Sequence, residues 1–181
     1  EILHSINNEI QKFEEIQTSI DEGWGFFETN KVLIAEIPKS GNRWKQANFD
    51  KNTFKDFFGA YFFDSSYRVL LRNIKKDGSL SEIESRQNVT VRSHNYRFEL
   101  DAASGLDYPS KDKPIGIFIQ IATRMFLYHL FMPADKDHVK LKNWLKRNWK
   151  GKTENIKRIT TQVKKIDKIL NKTVFKKYAT K

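Results

Sequence analysis

The sequence predicts an α+β fold, mainly β, in which six or seven short strands roll into a barrel or sandwich and helices lie at both ends. Three observations predict it. Short apolar or alternating runs recur from Val32 to Met132 and are broken by Gly, Pro, Asn and Asp, which is the signature of strands joined by turns. Apolar residues recur at three- and four-residue spacing from Ile2 to Ile20, and again from Val139 onward. A hydrophobic content of 39%, with 14 Phe in 181 residues, is enough for one real core.

The elements follow in order. Ile2, Leu3, Ile6, Ile10, Phe13, Ile16 and Ile20 fall on one face of an N-terminal helix that Gly23 ends. Gly23 to Phe27 turns into a first strand, Val32–Ile37, and Pro38 helps to end it because it cannot donate to a ladder. A polar loop runs from Pro38 to Asn48. Asn52 or Thr53 then caps a short helix that carries Phe54, Phe57 and Phe58 as core residues and stops at Gly59. Tyr67–Ile74 reads as a strand, Lys75–Gly78 as a hairpin turn, and Leu80–Glu84 as the returning strand. Val89–Val91 and Tyr96–Leu100 alternate as half-buried strands do, with a second polar loop between them. Ile115–Ala122 and Met125–Met132 complete the set. From Asp137 the apolar spacing is helical through Leu170, with Gly151 separating two helices. The division expected is a connecting helix over 1–23, a strand-rich domain over 24–133 and a basic helical extension over 134–181. The first residue is Glu rather than Met, which points to a fragment.

The charge is uneven. The chain carries a formal +11, yet residues 136–181 hold 16 Lys or Arg against 3 Asp or Glu, while 1–135 hold 17 against 19. A basic tail suits a polyanion, most often nucleic acid. There are no cysteines, which excludes disulfide scaffolds and thiolate zinc sites and fits a reducing, cytoplasmic setting. No apolar run approaches the roughly 18 residues of a membrane span, so no membrane partner is expected.

Catalytic motifs are missing. Asp/Glu-x-Lys, the short half of many metal-dependent nuclease sites, occurs nowhere in a chain rich in Lys. His138-Val139-Lys140 begins a phospholipase-D-type motif, but Leu145 stands where its Asp belongs. There is no phosphate-binding glycine loop and no His cluster, so no cofactor, metal or catalytic residue is assigned. His129, in an apolar strand, reads as a structural histidine. Glu82, Glu84, Glu99 and Asp101 are the one set that could form a dispersed acidic metal site.

The two polar loops carry the functional expectation. The first holds Lys39, Ser40, Asn42, Arg43, Trp44, Lys45, Gln46 and Asn48, and Ser40-Gly41-Asn42 lets it turn tightly. The second holds Arg92, Ser93, His94, Asn95, Tyr96 and Arg97, with Arg86 nearby. Arg, Lys, Asn and Gln are the side chains that read base edges, and Trp can stack or wedge. The tail offers mostly Lys: either Lys140, Lys146, Lys150 and Lys157 act on phosphates by counterion release, or the tail packs on the barrel or a neighbouring domain through Trp144, Trp149, Ile159 and Ile166 and its charge is solvation.

The order strand, polar arm, short helix ending Phe57-Phe58-Gly59, strand, hairpin, strand, second polar arm, strand resembles the plant-type DNA-binding pseudobarrel, the B-three-like domain of plant transcription factors and some restriction endonucleases. Ile37 to Trp44 with the later Asn95-Tyr96-Arg97 looks more like the bacterial enzymes, where the domain is often fused to a phospholipase-D-type nuclease. The resemblance covers roughly residues 24–133, and the basic tail lies outside it. It implies a seven-stranded open pseudobarrel that grips the major groove of double-stranded DNA with two arms, is non-catalytic by itself, and works with a fused or associated nuclease domain. The alternatives are a metal-dependent nuclease with the dispersed acidic site, or an RNA-binding module served by the basic tail.

Overall fold

The computed structural model describes residues 2–21, 31–39, 44, 46–59, 68–87, 89–90 and 96–170. Among them lie α1 (Ile2–Asp21), β1 (Lys31–Glu36), β2 (Gln46–Phe49), α2 (Lys51–Asp56), β3 (Arg68–Asn73), β4 (Glu84–Gln87), β5 (Val89–Thr90) and β6 (Tyr96–Glu99). A short 3₁₀ turn at Asp101–Ala103 precedes β7 (Ile115–Ala122), β8 (Met125–Phe131), α3 (His138–Asn148), β9 (Arg158–Gln162) and α4 (Val163–Ile169).

Two sheets organise the chain. The larger has six strands in the order β4-β3-β8-β7-β1-β9, and the smaller has three in the order β2-β6-β5. The larger sheet is open and mixed: β3 and β8 run parallel, with Leu71 opposite Phe126, and its other neighbours are antiparallel. The α+β class expected from the sequence is present, but as two sheets rather than one seven-stranded roll.

Strand composition explains this layering. Along β1, Val32 and Ile34 join one core cluster, while Leu33 and Ala35 join another. Successive side chains point to opposite faces of a strand, so a strand with a core on both sides must be apolar throughout. β8 is buried at all seven positions and β7 at seven of eight. On one face Phe13 of α1, Leu141 and Leu145 of α3, and Val163 and Ile166 of α4 pack against Ile117, Ile119 and Leu127. On the other, Phe49, Phe54, Phe57 and Phe58 pack against Phe118 and Phe126, with ring centroids 5.0 to 5.6 Å apart for Phe49–Phe118, Phe58–Phe118, Phe57–Phe126 and Phe58–Phe126. Gly116 allows this density, because a Cβ there would lie 2.8 Å from the Phe118 ring.

Several local expectations change. α2 is capped by Asp50, whose carboxylate accepts from Thr53 N at 3.3 Å, not by Asn52 or Thr53. The hairpin after β3 turns as expected, with Gly78 at φ 86°. Its return is only a bridge, Ile74 to Leu80, and the paired strand β4 starts at Glu84. The largest change is at the C-terminus. Residues 158–162, expected as helix, form β9 and pair with β1 from Lys31↔Gln162 to Ala35↔Arg158. Arg-Ile-Thr-Thr-Gln is rich in β-branched residues, and the free edge of β1 supplies the ladder that settles its conformation. The segment after residue 133 thus adds an edge strand and two helices to the same sheet and core. The expected long C-terminal helices are the shorter α3 and α4, of 11 and 7 residues.

Candidate nucleic-acid interface

Both polar loops end in the small sheet. β2 closes the first loop and β6 closes the second, and they pair antiparallel with Asn48 opposite Arg97 and Gln46 opposite Glu99. β5, which leads into the second loop, pairs with the other edge of β6, with Val89 opposite Arg97. Two loops separated by some fifty residues in sequence are therefore neighbours, about one strand spacing of 4.8 Å apart at their β2 and β6 ends.

The first loop is fixed at its base, its middle and its end. At the base, Ile37 N donates to Pro114 O at 2.8 Å, and the Tyr108 hydroxyl donates to Ile37 O at 2.8 Å. In the middle, the Trp44 ring is only 6% exposed, meets Tyr108 edge-on at 5.4 Å, and donates its Nε1–H to Leu106 O at 2.6 Å. The expectation that Trp44 stacks on bases gives way to an anchoring role, because its indole is spent on the core. Burial, helped by the Glu36 charge, raises the Tyr108 pKa, so its hydroxyl remains a donor.

The C-terminal strand clasps both ends of this loop. Before it, Lys157 N donates to Glu36 Oε2 at 3.0 Å, and Glu36 N donates to Lys157 O at 2.8 Å. After it, Arg158 Nε lies 2.5 Å from Asp50 Oδ1, the capping carboxylate of α2. No motif announces these contacts; they appear only once β9 has taken its place beside β1.

The described segments on either side of the second loop are held by a buried polar node. Glu84, at the start of β4, is 5% exposed. Its carboxylate accepts from the Tyr128 hydroxyl at 2.7 Å and from Asp101 N at 2.8 Å. Tyr128 Oη also accepts from Ala102 N at 3.2 Å, and Arg86 Nη2 lies 2.5 Å from Asp101 Oδ1 and 3.5 Å from Glu84 Oε1. The strand before the loop and the turn after it are thereby fastened to β8. Burial, the largest influence, raises the Glu84 pKa above its usual 4.5, and the hydrogen bonds from Asp101 and Tyr128 oppose it. Burial likewise pushes the Tyr128 phenol far up, with the Glu84 charge reinforcing it.

Of the residues proposed to read bases, the structure places Lys39 at an exposed position and Arg97 half-buried on β6, where its side chain has no hydrogen bond or ion pair among the described residues. Gln46, Asn48 and Tyr96 are placed by their strand register alone. Ser40, Asn42, Arg43, Lys45, Arg92, Ser93, His94 and Asn95 lie outside the described residues. Of the dispersed acidic set, Glu84 and Asp101 meet through Arg86, and among the described residues no group of three or more His, Asp or Glu side chains is arranged to hold a metal ion. His129 is buried, meets Ile74 O through Nδ1 and packs on Phe131 at 4.5 Å, and burial lowers its pKa.

Fold and site together define an α+β domain whose small sheet pairs β2 and β6, the strands that end the two polar loops, on a heavily buttressed scaffold. No protein-family model matches the chain. No curated protein matches it either. Among solved structures the chain is similar to the N-terminal domain of Helicobacter pylori LlaJI.R1, at 16% identity and a TM-score of 0.48, over 72% of this chain and 97% of that one. No helix among the described residues is long and apolar enough to cross a membrane.

Proposed function

We propose that this chain is the target-recognition domain of a restriction endonuclease, binding double-stranded DNA in a sequence-specific manner through two arms in the major groove. The observation that carries the reading is the β2–β6 pairing, which sets Asn48 opposite Arg97 and so brings the two loops together. A major groove about 12 Å wide admits a two-stranded ribbon, and β2 and β6, paired one strand spacing apart, fit within it. The residue types in the loops are those that pair with base edges, and the Arg97 side chain has no ion pair among the described residues. The element order behind the resemblance to B-three-like domains supports the same reading, as does the basic balance of the chain. Cleavage is assigned to a fused or associated nuclease domain, since the chain lacks the short catalytic motifs and Glu84 is committed to Tyr128 and Asp101.

The test is selection of bound duplexes from a random pool, followed by Arg43→Ala and Arg97→Ala. A bidentate Arg–guanine pair contributes about 1–3 kcal/mol of discrimination, so each variant should relax preference at one position of the selected site and leave the others. Unchanged affinity and selectivity in both variants would remove the arm assignment. Cleavage of the duplex in magnesium or manganese that survives repurification and is lost in Glu99→Gln would move the assignment to a metal-dependent nuclease.

A further inference from the structure

The helical side of the main sheet, on the far side from the Phe-rich core that supports the arms, carries a cleft between α3 and α4 of about 310 Å³. α3 contributes Lys140, Asn143, Trp144 and Arg147, and α4 contributes Lys165 and Lys168. The spacing explains the pairing of faces. Positions 140, 143, 144 and 147 share one stripe of α3, and 165 and 168 share one stripe of α4. Leu141 and Leu145 of α3, and Val163 and Ile166 of α4, point into the core instead. Burying those apolar stripes side by side forces the two cationic stripes to face each other.

Four cations around one cleft repel one another unless something neutralises them. Lys140 has a partner, Asp137 Oδ1 at 3.1 Å. Arg147, Lys165 and Lys168 have no ion pair among the described residues, and no described carboxylate lines the cleft. Trp144 is half-buried against the core and forms an apolar wall. The set of cations, an amide and an indole suits a phosphate carried on a less polar body. Its shape suits a strand rather than one small anion. From Lys140 to Arg147 the stripe runs about 10 Å at 1.5 Å per residue, the rise of about three nucleotides at 3.4 Å each.

We infer that the α3–α4 cleft is a phosphodiester-binding site that holds one sugar-phosphate strand of a DNA duplex through Arg147, Lys165 and Lys168. It rests on the DNA-binding reading above but not on the arms as base readers. It also revises which cations act. Of the four tail lysines expected to meet phosphate, only Lys140 lines the cleft, and Lys157 is turned to Glu36 and to Thr153 O. Phosphate contacts position a duplex and carry no sequence information, so the cleft supplies affinity while the arms supply preference.

The experiment measures binding of the full chain to the selected duplex and to a scrambled duplex across a salt series. The variants are Arg147→Gln/Lys165→Gln/Lys168→Gln and a charge-matched control, Lys111→Gln/Lys136→Gln/Lys152→Gln, at exposed positions outside the cleft. Thermal melts establish that both fold. Each phosphate released adds about 0.9 to the slope of log affinity against log salt, so the cleft variant should lose about 2–3 from the slope on both duplexes, and the control much less. The ratio between the two duplexes should hold. Equal slope losses in the two variants would overturn the cleft and leave only diffuse charge. Saturable binding of a nucleoside triphosphate that the cleft variant abolishes, with the duplex slope intact, would overturn the strand in favour of a free nucleotide. A slope loss seen only with RNA would overturn the DNA assignment. If the parent shows no preference between duplexes but the cleft variant still loses slope, the base-reading arms fail and the cleft stands.

Discussion

Replacing Tyr128 by Phe isolates the node that fastens the segments on either side of the second loop. The ring is fully buried and stacked on Phe118 at 5.8 Å, so Phe keeps the packing and opens no cavity. What is lost is a hydroxyl that donates to Glu84 Oε2 at 2.7 Å and accepts from Ala102 N at 3.2 Å. A hydrogen bond to a charged group contributes about 1.5–3 kcal/mol. At about 2–4 °C per kcal/mol for a chain of this size, the midpoint should fall by about 3–12 °C near neutral pH. The deficit should depend on pH. The folded pKa of Glu84 lies above its ordinary 4.5, so the stability linked to this group is present below pH 4.5 and is lost as pH rises through the folded pKa. Without the Tyr128 hydroxyl, which lowers that pKa, the folded value climbs further and more stability is lost on the same rise. The gap between parent and Tyr128→Phe should therefore be small near pH 4, where a neutral pair contributes about 0.5–1.5 kcal/mol, and widen toward pH 7. Urea titrations at both pH values, run as a double-mutant cycle with Glu84→Gln, measure it. A coupling below about 0.5 kcal/mol, or a deficit that does not change with pH, would refute the node as a charge-assisted tie.

Three further outcomes test the scaffold of the first loop and the core. Trp44→Ala should cost about 3–5 kcal/mol in urea unfolding, as buried Trp truncations do, and should weaken binding to the selected duplex beyond the loss of folded protein. Arg158→Ala should change stability by no more than about 1 kcal/mol, because its pair with Asp50 is partly solvated, yet reduce selectivity by loosening the end of the first loop; an unaltered selection profile would deny the clasp a functional part. His129 has a folded pKa below 6.5, so its contribution is present above pH 6.5 and is lost as pH falls through the folded value; the urea midpoint should drop from pH 7 to 5 in the parent and less so in His129→Gln.

The sequence by itself determined the elements with strong local periodicity. Helix α1, strands β1, β3, β7 and β8, and the phenylalanine helix α2 all lie close to where spacing and turn chemistry put them, because each buries a face that its own pattern defines. It also determined the concentration of charge in the tail. Tertiary structure decided what the strands that end the two polar loops are beside. β2 is four residues with weak strand character, and it forms because β6 offers it a ladder. β9 follows the same rule: Ile159 fits a helical stripe with Val163 as well as a strand edge, and the open flank of β1 chose the strand for residues 158–162, with Val163 opening α4. Trp44 could have been read as a base-stacking group or an anchor, and only Tyr108 and Leu106, more than sixty residues away, make it an anchor. Glu84 and Tyr128 are likewise ordinary strand residues until β4 and β8 come within reach of each other. Local periodicity records which face of an element is buried. Partners distant in sequence leave no periodic trace, so the packing that brings two loops to one sheet, or four cations to one cleft, exists only in the folded chain.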